Sequence, residues 1–367
     1  MIFIVIPIGS ARTTSSARWI KWLDDNPGDD MAEYPLISFL VFGYNQESYV
    51  REAVAGAFAQ TYCPLEIILS DDCSPDRTFE IMREMAAAYH GPHQVVLNRN
   101  PANLGISSHV SKVCQLARGG LLVASAADDV SLPERTSTLY EAWLGFGESA
   151  HSVFSNAVVM DGDGKALGDW YPTPWAINKT LKDAVASNDI GVLGCSHMFS
   201  RQTFEVFGPL HPGSLQEDSA IAFRSLILGK LEYVPAALVR YRRHGLNLWQ
   251  TRKDPTFHDS QRRRKWLQGE VATIEAKLAD LSKAMELGLV KAADGAAFLE
   301  LIRRSLEEKR LELVFDEVGV VERLRTGTRA VRRKQHSPAK VLGIFVDSFH
   351  NHLLSKWWRS VAKRMRA

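Results

Sequence analysis

Residues 36–72 read LISFLVFGYNQESYVREAVAGAFAQTYCPLEIILSDD and decide the fold class. The stretch opens with a continuous apolar run at 36–42 and ends with another at 65–70, and short apolar runs of this kind are typical of buried strands. Between them, residues 48–60 place apolar side chains three and four positions apart, as an amphipathic helix does. The stretch therefore predicts a strand, a helix and a second strand, the unit from which parallel sheets are built.

The same alternation continues along the chain. We expect helices at 77–89 and 106–117 and strands at 94–97 and 121–127. Alternating strands and helices predict an α/β fold with a mostly parallel sheet flanked by helices. In such sheets ligands bind beyond the carboxyl ends of the strands, so the polar residues that follow the strands are the candidates for a site.

Two acidic pairs follow predicted strands. SDD (70–72) comes directly after the second strand, and ADD (127–129) comes after the fourth. Adjacent carboxylates repel each other and are costly to bury unpaired, so each pair needs a metal ion, a solvated turn or a helix start beside it. One pair alone would suggest a helix cap. Two pairs at the same edge of one sheet predict a site.

Composition limits the class of protein. The chain has 367 residues, of which 46% are hydrophobic and 23% charged, and these values predict an ordinary globular protein with one large domain or two smaller ones. Its four cysteines are scattered without the spacing of a zinc site or a disulfide scaffold. The apolar start MIFIVIPI (1–8) is too short for a membrane span and lacks a preceding basic region. We therefore expect a cytoplasmic protein.

Several motifs in order carry a resemblance to a known family. They are the stretch 35–78, NRNPANLGISSH (98–109), ARGGLLVASAADD (117–129) and EDSAIAFRSLILGKLEYVPAALVRYRRHGLN (217–247). Together they resemble the family 2 inverting glycosyltransferases of the GT-A fold over residues 35–249. The resemblance implies a Rossmann-like catalytic domain at 35–255. The rest of the chain divides into an N-terminal extension (1–34), a helical region (256–320) and a basic amphipathic tail (321–367).

The resemblance also implies a reaction. The donor would be a nucleotide-diphosphate sugar, a UDP-sugar first among them, and the acceptor a glycan or a lipid-linked glycan. Because the leaving nucleoside diphosphate gains negative charge, an oxygen-bound Mg²⁺ or Mn²⁺ would neutralise it. A carboxylate would take the proton of the acceptor hydroxyl, which then displaces the diphosphate with inversion at the anomeric carbon.

Site residues follow from the resemblance position by position. Asp218 matches the catalytic base, with Glu217 beside it to position the base or the acceptor. Asp129 matches a metal ligand, and His244 matches a ligand or a hydrogen-bond donor near the diphosphate. The expected nucleotide-binding residues are Tyr44, Asn45, Asp71, Asp72, Asn103, Gly105 and Asp128.

Two features leave alternatives open. The family's metal motif often has an additional carboxylate where this chain has Ala126, which leaves an inactive nucleotide- or glycan-binding relative as the second hypothesis. A sugar-phosphate nucleotidyltransferase would need a glycine-rich loop with a basic residue after the first strand, and FGYNQES (42–48) lacks the basic residue.

Arg242 and Arg243 either reach phosphate oxygens or are solvated surface charges.

The second half of the chain changes character. HSVFSNAVVM (151–160) predicts a strand that ends in a hairpin turn at DGDGK (161–165), where glycines permit positive φ. Residues 261–317 have few helix breakers and apolar residues at helical spacing. That pattern predicts a helical hairpin or a contact in a homo-oligomer.

The tail is a distinct electrostatic segment. Residues 321–367 hold 12 Lys or Arg and two acidic residues, although the whole chain has a net charge of +2. Within 339–367, aromatic and apolar residues fall four positions apart and six residues are basic. Such a helix would lie on an anionic membrane at the inner face of the cell, or pack on protein. No nucleic-acid-binding motif accompanies the charge, so nucleic acid is not an expected partner.

Overall fold

The structure, a computed structural model, describes residues 34–147, 149–170, 177, 179–187, 190–244, 247, 260–317, 326–327, 330 and 337–344. The predicted N-terminal extension lies outside this range apart from Tyr34, and so does the tail beyond residue 344. All four strands and three helices predicted between residues 36 and 127 are present in the described residues. Their observed ends differ from the predicted ends by at most two residues.

Nine strands of the described residues form one sheet. They are β1 Ile37–Gly43, β2 Leu65–Asp71, β3 Gln94–Arg99, β4 Leu121–Ala126, β5 Val130–Ser131, β6 Ala150–Met160, β7 Ala166–Trp170, β8 His197–Ser200 and β9 Lys230–Arg242. Their order is β3-β2-β1-β4-β8-β6-β9-β5, with β7 paired to β6. β1, β2, β3 and β4 are parallel, and β6 and β9 are parallel, whereas β8 runs antiparallel to both of its neighbours. The prediction of a mostly parallel sheet is confirmed.

The helices of the described residues cover the sheet. They are α1 Val50–Phe58, α2 Thr78–Ala87, α3 Ile106–Leu116, α4 Arg135–Phe146, α5 Leu181–Ala186, α6 Gln202–Phe207, α7 Glu217–Leu228, α8 Ser260–Glu286 and α9 Ala292–Glu317, with a 3₁₀ turn at Gly194–Ser196. Along β1, Phe39 and Val41 pack with the apolar faces of α1, α2 and α4. Leu40 packs with α3 and α7 on the opposite face. Burial on both faces explains why β1 reads as a continuous apolar run.

Strand register places the two acidic pairs at one edge. Gly43 at the end of β1 pairs with Asp71, and Phe42 pairs with Ala126. Both pairs therefore lie at the carboxyl end of the parallel strands, as predicted. Neither pair is a helix cap, since the N-cap residues of α2 and α4 are Arg77 and Glu134, and neither makes a side-chain capping bond.

The predicted hairpin after residue 150 is present. β6 and β7 pair antiparallel, and the backbone N–H of Asp161 donates to the carbonyl oxygen of Lys165 at 2.9 Å. Gly164 has φ 85°, the positive value that glycine adopts without steric cost.

The helical region is a hairpin of α8 and α9, as one of the two interpretations predicted. Ile274 and Leu281 of α8 and Ile302 of α9 share a buried apolar cluster with Phe223 of α7 and Phe154 of β6. The hairpin and the sheet therefore have a common core. No helix within the described residues is long and apolar enough to cross a membrane.

The first residues of the predicted amphipathic tail pack on protein. Residues 338–344 are helical, and Val341 and Ile344 contact a buried cluster that contains Phe315 of α9. Lys340 forms an ion pair with Glu308 at 2.9 Å. The aromatic and basic residues from 345 to 367 lie outside the described residues, so the membrane interpretation stays a prediction.

Candidate active site

Asp71 supports the loops that follow β1 and β2. Its side chain is fully buried and accepts hydrogen bonds from the backbone N–H of Ser74, at 2.9 Å, and from the Ser74 hydroxyl. The Ser74 hydroxyl oxygen in turn accepts the N–H of Asn45 at 2.9 Å. Asn45 and Cys73 have φ of 58° and 62°, and these strained turns leave Tyr44 47% exposed at the edge of the site.

Asp72 fixes the loop after β3. Its two carboxylate oxygens accept hydrogen bonds from the Asn100 amide at 2.8 Å and from the N–H groups of Leu104 and Gly105, both at 3.0 Å. The N–H of Gly105 also donates to the side-chain oxygen of Asn103 at 3.1 Å. Gly105 has φ 78°, a positive value that glycine adopts without steric cost. These contacts use three of about four lone-pair positions on the carboxylate.

Asp128 lies at the centre of a polar cluster. Its Oδ2 accepts hydrogen bonds from His244 Nε2 at 2.9 Å, Gln46 Nε2 at 3.3 Å and Asn247 Nδ2 at 3.3 Å. Because Gln46 follows Asn45, the cluster adjoins the loop that Asp71 supports. Asn45 therefore contacts the loop that holds Asp71, and the next residue, Gln46, contacts Asp128, so these two residues connect the two acidic pairs.

The donor set around Asp128 fits a divalent cation. Gln46 Oε1 is buried and has no hydrogen-bond partner, beside the Asp128 carboxylate and the His244 imidazole. Mg²⁺ and Mn²⁺ accept oxygen donors and complete their shell with water and substrate phosphates. No group of three or more His, Cys, Asp or Glu suited to a metal occurs among the described residues, so such an ion would depend on substrate oxygens.

Asp129, expected as a metal ligand, points into the protein. It is 2% exposed, and its Oδ1 accepts the backbone N–H of Arg242 at 2.8 Å. Burial, followed by the charge of Asp128, raises the pKa of Asp129 well above its usual range, while a hydrogen bond with Cys195 opposes that shift. Sequence patterns alone did not single out Cys195.

Arg242 is buried, so the sequence interpretation of it as a solvated surface charge is wrong. It is 1% exposed, because its guanidinium is used inside the protein. Nε donates to the carbonyl oxygen of Asp128 at 3.0 Å, Nη1 to that of Gly162 at 2.8 Å, and Nη2 to Glu52 Oε2 at 2.8 Å. Arg243 is exposed.

The Tyr49 ring contacts both Arg242 and His244. The Arg242 guanidinium carbon is 4.8 Å from the centroid of the Tyr49 ring. The ring centroids of Tyr49 and His244 are also 4.8 Å apart, with an interplanar angle of 30°. This stack fixes the imidazole that meets Asp128, and no motif in the sequence indicated Tyr49.

Glu217 and Asp218 begin α7. The N–H of Ser219 donates to Asp218 Oδ1 at 2.6 Å, which orients the carboxylate at the helix N-terminus. Burial and the neighbouring charge of Asp218 raise the pKa of Glu217 to about 8. At neutral pH, Glu217 is therefore mainly protonated.

Two consecutive residues join the Glu217–Asp218 pair to the ADD segment. A Cβ on Gly194 would lie 3.3 Å from Asp218 Cβ and 3.5 Å from Glu217 Oε1, so Gly194 lets the pair approach closely. The next residue, Cys195, hydrogen-bonds to Asp129. The structure therefore brings together the expected base, its neighbouring glutamate, both aspartates after β4 and His244.

Comparisons with known proteins point to one family. The model of glycosyl transferase family 2 matches residues 38–207. An uncharacterized protein of Mycobacterium tuberculosis is 28% identical over 246 residues, which cover 66% of this chain and 68% of that protein. An uncharacterized glycosyltransferase of Haemophilus influenzae is 26% identical over 223 residues, 59% of this chain and 68% of that protein.

A solved structure shares the fold. The crystal structure of residues 1–349 of S. aureus TarS in complex with UDP has a TM-score of 0.52 at 12% identity, and the match covers 88% of this chain and 91% of that chain. This likeness concerns the fold alone. The family match over residues 38–207 and the relative named as a glycosyltransferase go further, and together they show that the chain is a glycosyltransferase.

Proposed function

We propose that this protein transfers a sugar from a nucleotide-diphosphate donor to an acceptor hydroxyl with inversion, and that Asp218 is the general base. The supporting observation is the Gly194–Cys195 step, which sets Asp218 beside the segment that carries Asp128 and Asp129. A carboxylate that removes a proton and a group that binds the leaving diphosphate must share one cavity.

The nucleotide would bind over the loops after β1, β2 and β3. Tyr44 presents an exposed ring on which a base can stack, and Asp72 holds the loop at Asn103–Gly105 and keeps a lone-pair position for the base. Asn45 and Asp71 shape the adjoining turn. We propose UDP as the nucleotide, supported by the UDP in the TarS structure, which shares this fold.

A divalent ion would be held by Asp128 and His244, with the amide oxygen of Gln46 as a third donor. When bound, it would neutralise charge on the diphosphate leaving group. We assign the metal-binding carboxylate to Asp128 rather than to Asp129, because Asp129 is 2% exposed and accepts the Arg242 N–H. Asp129 then serves to position the segment.

The pair at the start of α7 divides the proton chemistry. Asp218, as the proposed base, takes the proton of the acceptor hydroxyl as that oxygen bonds to the anomeric carbon and the diphosphate departs from the opposite side. Glu217, held protonated by its raised pKa, adds no second negative charge and can donate a hydrogen bond. A glycan or lipid-linked glycan acceptor, and contact of residues 339–367 with an anionic membrane, belong to this proposal.

The alternative is a relative that binds nucleotide without transfer, and Ala126 is the residue that favours it. Calorimetric titration with UDP, GDP, CDP and dTDP, each with Mn²⁺ and again with EDTA, tests the proposal. We expect one nucleotide, UDP, to bind only with Mn²⁺. Binding of none of the four by folded protein would refute the proposal. Binding without release of UDP from any UDP-sugar, across a panel of glycan acceptors, would favour the inactive relative.

A further inference from the structure

Helix α8 carries a glycine at the point where it meets the segment before α7. A Cβ on Gly269 would lie 2.5 Å from Cγ and 2.6 Å from Cδ1 of Leu215. Glycine is unfavourable within a helix, and this one is buried. Its place is explained by the close approach of Leu215, which stands two residues before Glu217.

Ser214, next to Leu215, is held from two sides. Its carbonyl oxygen accepts the Ser107 hydroxyl of α3 at 2.7 Å, and its own hydroxyl lies 2.8 Å from Thr273 Oγ1 of α8. The Thr273 hydroxyl donates to the carbonyl oxygen of Gly269 at 2.8 Å, so Ser214 must donate to Thr273. All three hydroxyl residues are at most 2% exposed.

The hydroxyl of Ser214 also reaches the start of α7. Its oxygen accepts the N–H of Gln216 at 3.4 Å, and the carbonyl oxygen of Gln216 accepts the N–H of Ala220 at 3.1 Å in the first turn of α7. A chain of contacts thus runs from Thr273 through Ser214 to the turn that carries Glu217 and Asp218.

Helix α8 is itself anchored to α7. Arg224 of α7 binds both carboxylate oxygens of Asp280 of α8, at 2.8 and 3.1 Å, and both side chains are buried. Lys277 of α8 donates to the carbonyl oxygen of Ser187 at 2.7 Å. Paired buried charges with this geometry hold the two helices in one relative position.

We infer that α8 is part of the catalytic apparatus, and that Gly269 and Thr273 are positioning residues for Glu217 and Asp218. The inference rests on the proposed function for its catalytic meaning. It gives the helical hairpin a role, although the family match ends at residue 207. A displacement of about 1 Å at such a pair can cost about 10²-fold in kcat.

The variants Gly269→Ala and Thr273→Val test the inference. Gly269→Ala forces Leu215 away, and Thr273→Val removes the acceptor of Ser214 with little change of shape. Ser282→Ala is the matched control, because its hydroxyl makes the same bond to the carbonyl oxygen four residues before it, Leu278, at 2.8 Å on the same helix. Thr273→Ser should restore the wild-type behaviour.

Two measurements on the ligand-free protein decide it. Hydrogen–deuterium exchange of residues 214–220 should lose protection in Gly269→Ala and Thr273→Val, and the pKa of the Glu217 carboxyl, followed by ¹³C NMR, should fall toward its usual range. The inference would be overturned if both variants kept the wild-type exchange rates and the wild-type pKa of Glu217. It would also be overturned if Ser282→Ala changed these two quantities as much as the variants do. Neither measurement needs a donor, so failure of the wild-type protein to bind any nucleotide would refute the proposed function and leave this result standing.

Discussion

The carboxylate of Asp129 accepts the backbone N–H of Arg242 at 2.8 Å, which ties the end of β4 to the end of β9. Its neighbour Asp128 turns the other way and meets His244. Two adjacent residues of the same type thereby have opposite surroundings. Asp129 ties two strands together, whereas Asp128 lies among the polar side chains of the proposed metal site.

Replacement of the two aspartates should separate these roles. Asp129→Ala leaves the Arg242 N–H without its acceptor, and we expect the free energy of unfolding to fall by about 1–3 kcal/mol. Asp128→Ala should also lower the stability, because it removes the acceptor of three donors, but it alone should lose Mn²⁺-dependent binding of UDP. Urea denaturation and calorimetry measure both effects. If Asp129→Ala kept its stability and lost the Mn²⁺ dependence, the metal would belong to Asp129.

The stack of Arg242, Tyr49 and His244 predicts coupling between Tyr49 and His244. Tyr49→Leu removes the ring that fixes the imidazole, whereas Tyr49→Phe keeps it. We expect Tyr49→Leu to weaken Mn²⁺-dependent UDP binding and Tyr49→Phe to leave it near wild type.

A double-mutant cycle decides whether Tyr49 acts through His244. In the background of His244→Ala, the further change Tyr49→Leu should cost little affinity for UDP with Mn²⁺. Fully additive losses would show that Tyr49 acts independently of His244.

These contacts mark the limit of what the sequence could predict. The sheet, the acidic edge and the hairpins follow from periodicity, because each apolar run belongs to one local element. The burial of Arg242 depends on partners from three distant segments, at Glu52, Asp128 and Gly162. Because the sequence does not show these partners, it favours a surface charge at Arg242. Which of Asp128 and Asp129 is available to a metal depends on how one turn orients the two side chains. The periodicity of the sequence carries no information about that orientation.

The structural roles of Gly194 and Gly269 could not be predicted from the sequence for a related reason. A glycine that permits a close approach is recognisable only when the approaching group is known, and here those groups are Asp218 and Leu215. The resemblance identified the residue types of the site, and tertiary structure assigned their neighbours.

The raised pKa of Glu217 predicts a pH dependence of stability. Burial and Asp218 raise this pKa to about 8 from an ordinary value of 4.5, so the folded protein holds this proton more tightly than the unfolded chain. Its contribution to stability is complete below pH 4.5 and is lost as pH rises to about 8. Wild type and Glu217→Gln should therefore have similar unfolding free energies at pH 4, with the variant more stable at pH 8.5. Urea denaturation at both values measures the difference, and a pH-independent difference would contradict the assignment.

The last prediction concerns Asp218. Asn has the shape of Asp but accepts no proton at neutral pH, so Asp218→Asn should lower transfer by about 10²–10⁴-fold, the range expected for a general base. Binding of UDP with Mn²⁺ should stay near wild type, because the proposed nucleotide and metal contacts involve other residues. Asp294→Asn, an exposed carboxylate in the first turn of α9, is the matched control and should leave both activity and binding unchanged. Loss of UDP binding in Asp218→Asn would move Asp218 into the nucleotide pocket, and retained transfer would require a different base, with Glu217 the next candidate.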